Sequence, residues 1–238
     1  MAALERWQDS VSQNITSAQT SGFRKRTIEF STEAAGLLQP DDRAKTGIDG
    51  GQSAIFPKTS AGINFTSGET MPTQREFDVA IQGDGFFELK MPDGTMAYTR
   101  SGEFRLRPDR TLVNAAGLEV MTDGGDPIVL LPGQGQITIN SDGTVVQGTT
   151  QLGKLSVQKF SNPAALIPSA GGMFVAGANA GKSAVDEPEL MQGYLEQSNV
   201  QPLREMVDLV IISRAYEANQ KMITTIDQQM QKALDALG

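Results

Sequence analysis

The C-terminal end of the chain holds the feature that most restricts its fold. Between Pro202 and the final Gly238, no residue is Gly or Pro. Proline suits the first turn of a helix, so this stretch predicts one helix from Pro202 to about Leu237. That helix is about 54 Å long at 1.5 Å per residue. Side-chain pairs such as Glu217 and Lys221 add only a few tenths of a kcal/mol, so packing must stabilise it.

Apolar residues recur along this predicted helix at about 3.7-residue steps, which is typical of a straight helix rather than of a strict heptad repeat. The stripe consists of Ile211, Ala215, Ala218, Met222, Ile226, Met230, Ala233 and Leu237. The start of the helix is apolar on nearly every side, through Leu203, Met206, Val207, Leu209, Val210, Ile211 and Ile212. One partner helix cannot cover all of this surface, which indicates contacts with other subunits.

The N-terminal end predicts a second, shorter helix that ends near Gly22. Its apolar stripe consists of Leu4, Trp7, Val11, Ile15 and Ala18. A helix of under about twenty residues is marginal alone in water, so the stripe must lie against another element. We expect Trp7 to fill a packing role, and the partner to be the C-terminal helix. The two chain ends would then form a stalk with surplus apolar surface for self-association.

The sequence pattern changes twice in the middle of the chain. Residues 27–76 show no sustained period and are rich in Ser, Thr, Gly and Pro, which predicts an extended connector. Residues 77–187 hold short strand-like runs with Asp-Gly turns between them, which predicts an antiparallel β domain. The predicted strands are Phe77–Ile81, Phe86–Met91, Thr95–Arg100, Glu103–Arg107, Ile137–Asn140 and Leu155–Phe160.

The predicted fold class is therefore α+β, with paired N- and C-terminal helices in a coiled-coil-like stalk and a central antiparallel β-rich domain. The predicted divisions are an N-terminal axial helix at 1–26, the connector at 27–76, the β-rich domain at 77–187 and a C-terminal axial helix at 188–238. Helical structure is expected to resume directly after Pro188.

Composition excludes several classes of function. The formal charge of −8 argues against a nucleic-acid partner, because phosphate binding needs a concentrated basic surface. We interpret Arg24, Lys25 and Arg26 as a solvated or dipole-matching group after a helix end. With no Cys and no His, disulfides, thiolate metal sites and histidine-dependent triads are absent. We predict no catalytic, cofactor or metal residues.

Three motifs resemble known sites but fail on their mechanism. Ala176–Ser183 matches a relaxed phosphate-loop pattern, yet Pro188 would break the helix that this loop requires. Three Asp-Gly sequences lack the alternating oxygen ligands of a calcium loop, so we interpret them as turns. Acidic pairs for glycoside hydrolysis are possible among 28 acidic residues, but the sequence singles out no pair.

The sequence shows no signal-peptide pattern near its start and no apolar run of the length that a membrane-spanning helix needs. We therefore expect no membrane insertion, and any export would use an uncleaved N-terminus.

Three regions of the chain hold strings that are similar to those of one known family. The motif residues are Asn14, Gly22, Phe23, Asp78, Gly83, Gly85, Phe86, Tyr98, Thr99, Arg100, Gly102, Phe104, Leu195, Glu196, Ser198, Asn199, Arg214, Tyr216 and Glu217. They lie in residues 14–23, 78–87, 98–104 and 193–217. The first string resembles the helix-ending string, the next two resemble the most specific strings, and the last resembles the entry and body of the C-terminal helix in the rod and hook proteins of the bacterial flagellar basal body.

This resemblance implies a structural rod subunit that is not an enzyme and transmits torque. Its implied location is the periplasm-spanning rod, reached through the flagellar type III export apparatus. Its implied partners are copies of itself and neighbouring rod and hook proteins, with no cofactor and no small-molecule substrate. Two alternatives stay open: a secreted adhesin-like β module that oligomerises through its end helices, and a carbohydrate-active enzyme with paired carboxylates.

Overall fold

A computed structural model describes residues 2–35, 54–133 and 135–235 of the chain. Within them, the two chain ends are helical, with α1 at Ala2–Thr16 and α2 at Pro202–Asp235. The start of α2 agrees with the prediction because Pro202 fixes it. The last predicted stripe residue, Leu237, lies outside the described residues.

The predicted connector contains an antiparallel hairpin. Strand β1, at Arg26–Ala35, pairs with β2, at Ala54–Ile63, along the full length of both strands. The apolar residues of the two strands, such as Ile28 and Phe30, do not alternate with polar ones along the whole strand, so no sustained strand pattern appears in the sequence. The part of the connector that falls on residues 36–53 lies outside the described residues.

The remaining described residues form a β domain of short strands. They are β3 Thr70–Pro72, β4 Val79–Gln82, β5 Phe86–Lys90, β6 Met96–Thr99, β7 Phe104–Leu106, β8 Leu112–Asn114, β9 Glu119–Val120, β10 Ile137–Ile139, β11 Thr144–Gln147, β12 Thr150–Lys154, β13 Val157–Phe160, β14 Leu166–Pro168, β15 Met173–Ala176, β16 Lys182–Ala184, β17 Glu189–Gln192 and β18 Tyr194–Glu196. All pairings between them are antiparallel, as the sequence pattern predicted.

One nine-stranded sheet dominates this domain. Its main path runs β14-β15-β6-β5-β9-β8-β7, with β13 joined to both β5 and β16. The strands β5 and β6 lie at its centre because their aromatic and aliphatic side chains supply both faces of the core. Phe87, Leu89 and Ala97 are fully buried in one cluster, while Phe86 and Tyr98 belong to a second.

Two small sheets tie the end of the domain to its beginning. Strand β17 pairs with β4, and β18 pairs with β3. The prediction that helix resumes directly after Pro188 is therefore wrong for the residues before Pro202. The pairing partners of these strands lie far away in sequence, so no local pattern marks them.

The phosphate-loop-like segment lies in extended structure. Lys182 begins strand β16 instead of a helix, so no helix N-terminus meets the loop. The Lys182 ammonium instead contacts the Glu88 carboxylate at 2.5 Å and stands 5.3 Å from the centre of the Tyr98 ring. Lys182 thereby links β16 to strands β5 and β6.

Glu88 is a carboxylate inside the sheet with several donors around it. Burial raises its pKa, but hydrogen bonds from Lys182, Ser156 and Tyr98 outweigh burial, and its net pKa lies below the usual value. The Lys182 pKa is lowered by burial but raised on balance by Glu88 and Tyr98. The charged pair is thus the form that the fold favours.

We predict that Glu88→Gln lowers the free energy of unfolding at neutral pH by about 1 to 3 kcal/mol, because a charge-assisted network is lost. Since the folded pKa of Glu88 is depressed, its contribution is complete above the unfolded pKa and disappears as pH falls through the folded pKa. The variant should therefore lose less stability than wild type on acidification. Urea unfolding at several pH values measures both the free energy of unfolding and its dependence on pH. The control is Glu187→Gln, because Glu187 is exposed. An unchanged acid dependence in Glu88→Gln would contradict the assignment.

Candidate assembly surfaces and the junction of the chain ends

The two helices pack antiparallel at the base of α2. Asn14, near the end of α1, donates a hydrogen bond to Glu205 in the first turns of α2 at 2.9 Å. Farther along α2, partial burial raises the pKa of Tyr216, and the carboxylates of Glu5 and Asp9 on α1 raise it further. Residues earlier in α1 therefore lie beside residues later in α2. The two helices are therefore in contact from the first turns of α2 to about Tyr216.

One face of α2 meets α1. Along this face, Glu205 and Ile212 are almost fully buried, and five further residues are half-buried. These five are Asp208, Leu209, Ala215, Tyr216 and Asn219. At about 100° per residue, all seven project within about 80° of the direction of Glu205. Residues 220–235 are all exposed, because α1 has only 15 residues against 34 in α2.

The same face of α2 continues past the N-terminal end of α1 and stays apolar. Ile223, Ile226, Met230 and Leu234 project within about 60° of Glu205 by the same rotation. Their side chains are between 50% and 67% exposed. We call these four residues the distal stripe. It extends the α1-facing side of α2 along the part of the helix that α1 does not reach.

A second apolar surface lies at the base of α2 on the side opposite α1. It consists of Leu203, Met206, Val207, Val210 and Ile211, which are between 48% and 80% exposed. We call it the basal patch. Because it faces away from α1, lengthening the contact between α1 and α2 would not cover it. The apolar character all round residues 203–212, noted in the sequence, thus resolves into one covered and one open face.

The predicted packing residues divide between these faces. On α1, Val11 is buried, while Leu4, Trp7, Ile15 and Ala18 are half-buried. On α2, the predicted stripe member Ile211 is exposed and its neighbour Ile212 is the buried residue. Ala215 is half-buried, whereas Ala218, Met222, Ile226, Met230 and Ala233 are exposed. The predicted stripe is therefore offset from the face that meets α1, and its role between subunits stays a prediction.

A buried carboxylate joins the N-terminal segment to the β domain. Glu196 accepts hydrogen bonds from Arg24 at 2.6 Å and from Arg100 at 2.8 Å, and all three side chains are at most 2% exposed. Arg100 also donates to the backbone carbonyls of Gly85 and Ile81. Burial lowers the pKa of Arg100, and Glu196 opposes that shift by stabilising the charged guanidinium. We call Glu196 and its two arginines the arginine clamp.

The arginine clamp corrects one interpretation from the sequence. The sequence predicts Arg24 in a solvated group with Lys25 and Arg26, but Arg24 is 3% exposed. Its acidic partner Glu196 lies 172 residues away, so no local charge pattern marks the pair. Lys25 is also paired, through an ion pair with the buried Glu205. The sequence does not single out Glu205 as a buried position, and only the tertiary contacts identify it.

A second buried carboxylate joins α1 to α2. The Glu205 carboxylate accepts hydrogen bonds from the side chains of Asn14 and Lys25. The Asn14 side chain also accepts a hydrogen bond from the backbone N–H of Arg26 and donates one to the backbone carbonyl of Arg26. The Asn199 side chain accepts a hydrogen bond from the backbone N–H of Lys25 and donates hydrogen bonds to the backbone carbonyls of Asn64 and Thr66. The segment after α1 is thereby held between the residues that follow β2 and the entry to α2.

Gly22 allows this segment to approach the β domain. Its φ of +66° lies in the left-handed region, and a Cβ at this position would stand 2.4 Å from backbone atoms of Arg100 and Ser101. Its N–H donates to the Glu196 carbonyl at 2.7 Å. Gly102 meets a similar constraint, since a Cβ there would stand 1.7 Å from the Val79 carbonyl oxygen.

The motif residues gather mainly around this junction and inside the domain. Those in the sheets or their turns are Asp78, Gly83, Gly85, Phe86, Tyr98, Thr99, Gly102, Phe104 and Leu195. Phe23 is buried next to Arg24, and Asp78 accepts a hydrogen bond from Arg75 at 2.7 Å. Ser198 accepts from the backbone of Val200. Arg214 and Glu217 are exposed on α2, outside the junction.

Neither a metal cluster nor a membrane-spanning helix occurs in the described ranges. No group of three or more acidic residues there is placed to hold a metal ion. Neither α1 nor α2 is long and apolar enough to cross a membrane. The candidate functional surfaces are the exposed apolar faces of α2.

Comparison with known proteins bears directly on this architecture. Residues 80–147 match the family described as flagellar hook protein FlgE/F/G D1 domain. Residues 191–236 match the family described as flagellar basal body rod FlgEFG protein C-terminal. The first covers the centre of the β domain, and the second covers strand β18 and α2.

Similar proteins align over almost the whole chain. The flagellar basal-body rod protein FlgF of Caulobacter vibrioides is 34% identical over 99% of this chain and 93% of its own length. The rod protein FlgG of Borreliella burgdorferi is 34% identical over 97% of this chain and 92% of its own length. The FlgG protein of Bacillus subtilis is 32% identical over 95% of this chain and 92% of its own length.

The two-ended α+β architecture and these matches define a structural protein of the bacterial flagellum. More particularly, the chain belongs to the flagellar basal-body rod protein family, at the identity and coverage just given.

We predict that Gly22→Ala lowers the free energy of unfolding by at least about 3 kcal/mol, because left-handed strain adds to overlap with the backbone of Arg100. Gly94→Ala is the matched control: its φ of +84° is also left-handed, but a Cβ there meets open space. The control should cost only about 1 to 2 kcal/mol. Thermal and urea unfolding measure both, and equal losses would contradict the close approach at Gly22.

Glu196→Gln should cost about 3 to 5 kcal/mol of stability, because two buried guanidiniums lose their shared carboxylate. The control is Glu103→Gln, whose ion pair with Arg75 is exposed on both sides. Glu103→Gln should lower the free energy of unfolding by less than about 1 kcal/mol. Urea unfolding followed by circular dichroism gives both values. A Glu196→Gln variant as stable as the control would show that the clamp does not hold the junction.

Proposed function

We propose that this chain is a non-enzymatic, self-assembling subunit of the flagellar rod that packs against copies of itself and neighbouring rod and hook proteins through its terminal helices. The observation that carries the proposal is the uncovered apolar surface of α2. The large apolar side chains of the basal patch and the distal stripe are each 48% exposed or more. Apolar surfaces of that extent mark sites of association, because covering them releases water.

The location of these surfaces supports assembly through the chain ends rather than through the β domain. Among the described residues, the much larger β domain has five large exposed apolar residues, against ten on α2; the five are Met71, Leu106, Val129, Leu131 and Ile167. A small number of exposed apolar residues is normal on a protein surface. On α2, by contrast, they form two continuous surfaces on one rigid element.

The way the two modules are joined supports a proposed role in transmitting torque. Torque applied to assembled helices reaches the β domain only through the connection between them. Here that connection holds two buried carboxylates, Glu196 and Glu205, each bonded to cationic side chains from another part of the chain. Hydrogen-bonded ion pairs with a buried carboxylate resist rearrangement, because breaking one leaves an uncompensated buried charge.

We further propose that the chain reaches the basal body through the flagellar export apparatus without a cleaved signal peptide. The basis is membership of the rod protein family, whose members are named for the basal body. A chain without cysteine suits passage in an unfolded state, because no disulfide has to be broken before export or formed after it.

The test is a motility and basal-body assay in the source bacterium. Deletion of the gene should stop rod assembly, and the intact chain should restore it. A chain carrying Val210→Asp and Met222→Asp should fail, because each change places a charge at an exposed apolar position of α2. Both positions are at least 51% exposed, so the fold itself should tolerate the changes.

The control is Gln220→Asp, which adds a charge at an exposed position between the two surfaces. It should restore motility as the intact chain does. Normal rods and filaments in the deletion strain would overturn the proposal. An adhesin-like role would then be favoured if the β domain kept a binding partner after removal of the C-terminal part of α2.

A further inference from the structure

A small cavity lies beside the arginine clamp, where the segment after α1 meets the β domain. Its volume is about 100 Å³, and both Arg24 and Arg100 line it. That space equals the share of about three water molecules in the liquid. The cavity therefore admits one small ion and excludes larger organic molecules. All of its lining residues lie outside α2.

The charges around this cavity do not balance. Its wall holds three cationic side chains, which are Arg24, Arg100 and Lys159. Glu196 pairs with both arginines, and Asp84 pairs with Lys159 at 3.2 Å. Three cations against two carboxylates leave one positive charge, and both arginines are at most 3% exposed. A buried excess charge is costly unless an ion of opposite sign meets it.

The pKa of Arg100 is consistent with this excess. Burial lowers this pKa most, Glu196 opposes the shift, and the positive charge of Arg24 lowers the pKa further. The net shift is downward, although a carboxylate is in direct contact. A negative ion beside Arg100 would favour its charged form and oppose this shift.

Arg24 also has a hydrogen-bond donor without an acceptor. A guanidinium carries five N–H groups. Among the described residues, Arg24 donates to Glu196 through Nη1 at 2.6 Å, while its buried Nε has no acceptor. Such donors are rare in folded proteins because each one costs free energy. Arg100, by contrast, donates to Glu196 and to the carbonyls of Gly85 and Ile81.

Aromatic rings form another part of the cavity wall. Phe86 packs edge-to-face against Phe65 and Phe160, with ring centres 6.1 Å and 5.7 Å apart. These rings offer no acceptor to the arginines. They also lower the local polarity, which strengthens the attraction between an ion and a guanidinium.

We propose that this cavity binds one small, singly charged anion, such as chloride or formate, between Arg24, Arg100 and Lys159. The single excess positive charge favours one negative charge over two, and the volume limits the size of the ion. The bound anion links Arg24, in the segment after α1, to Lys159 in β13. It thereby stabilises the junction of this segment with the β domain. The site uses no part of α2, so its failure would leave the proposed function unchanged.

The experiment measures thermal unfolding of the full-length chain at constant ionic strength, while sodium gluconate is replaced stepwise by sodium chloride or sodium formate. Gluconate is too large for the cavity. An anion that binds only the folded chain raises the unfolding midpoint as its concentration increases beyond Kd. The comparison is Lys159→Gln, which the fold should tolerate because the ion pair of Lys159 with Asp84 is exposed on both sides.

General effects of these salts act on both chains alike, so the difference between their midpoints reports the site. Wild type should gain on Lys159→Gln in chloride and formate and not in gluconate, with the apparent anion affinity at least about fivefold weaker in the variant. Lys90→Gln removes the same charge at an exposed position outside the cavity and should follow wild type. A difference between wild type and Lys159→Gln that is the same in all three salts would overturn the proposal.

A second variant places the negative charge within the chain. Ser67 is exposed at the cavity wall, and its hydroxyl oxygen lies 3.5 Å from Nη2 of Arg100. Ser67→Asp should raise the midpoint in gluconate and remove most of the response to chloride. Ser213→Asp adds the same charge at an exposed position on α2 and should keep the wild-type response. A Ser67→Asp chain that responds to chloride as strongly as wild type would also overturn the proposal.

Discussion

The Glu196 carboxylate and the two arginines that share it set the relation between all parts of this molecule. Arg24 belongs to the segment after α1, Arg100 follows strand β6, and Glu196 ends strand β18, shortly before α2. One buried group therefore fixes the N-terminal end, the sheet and the entry to the C-terminal helix. Without it, two guanidiniums would remain in a site from which water is excluded.

Once the clamp fixes the two ends, the unequal lengths of the helices decide which surfaces are left open. Helix α1 is about 22 Å long and ends at the junction, and α2 is about 51 Å long and begins there. Beyond Asn219 the inner face of α2 has no covering helix within the described residues, yet it keeps its apolar side chains.

Much of this architecture can be predicted from local signals. Pro202 and the residues after it predict α2, and Phe86, Phe87 and Tyr98 mark the central strands of the sheet. The Asp-Gly turns separate the antiparallel strands. These features depend on neighbours in sequence, which is why periodicity and turn chemistry find them.

The features that local signals miss all depend on distant partners. Arg24 looks solvated from the sequence because Glu196 is 172 residues away, and β17 looks helical because β4 is far from it in the chain. Periodicity places the inner face of α2 on Ile211 instead of Ile212, because a segment apolar on every side offers no reference direction. Only the position of α1 supplies one.

Hydrogen exchange of the monomeric chain, followed by mass spectrometry, tests most directly whether the junction organises both ends before assembly. The account predicts that peptides from residues 3–26 and 197–216 exchange slowly and together, while residues 220–235 exchange quickly. On assembly, protection should extend to residues 220–235. Uniform rapid exchange along both helices in the monomer, with protection appearing everywhere only on assembly, would contradict it.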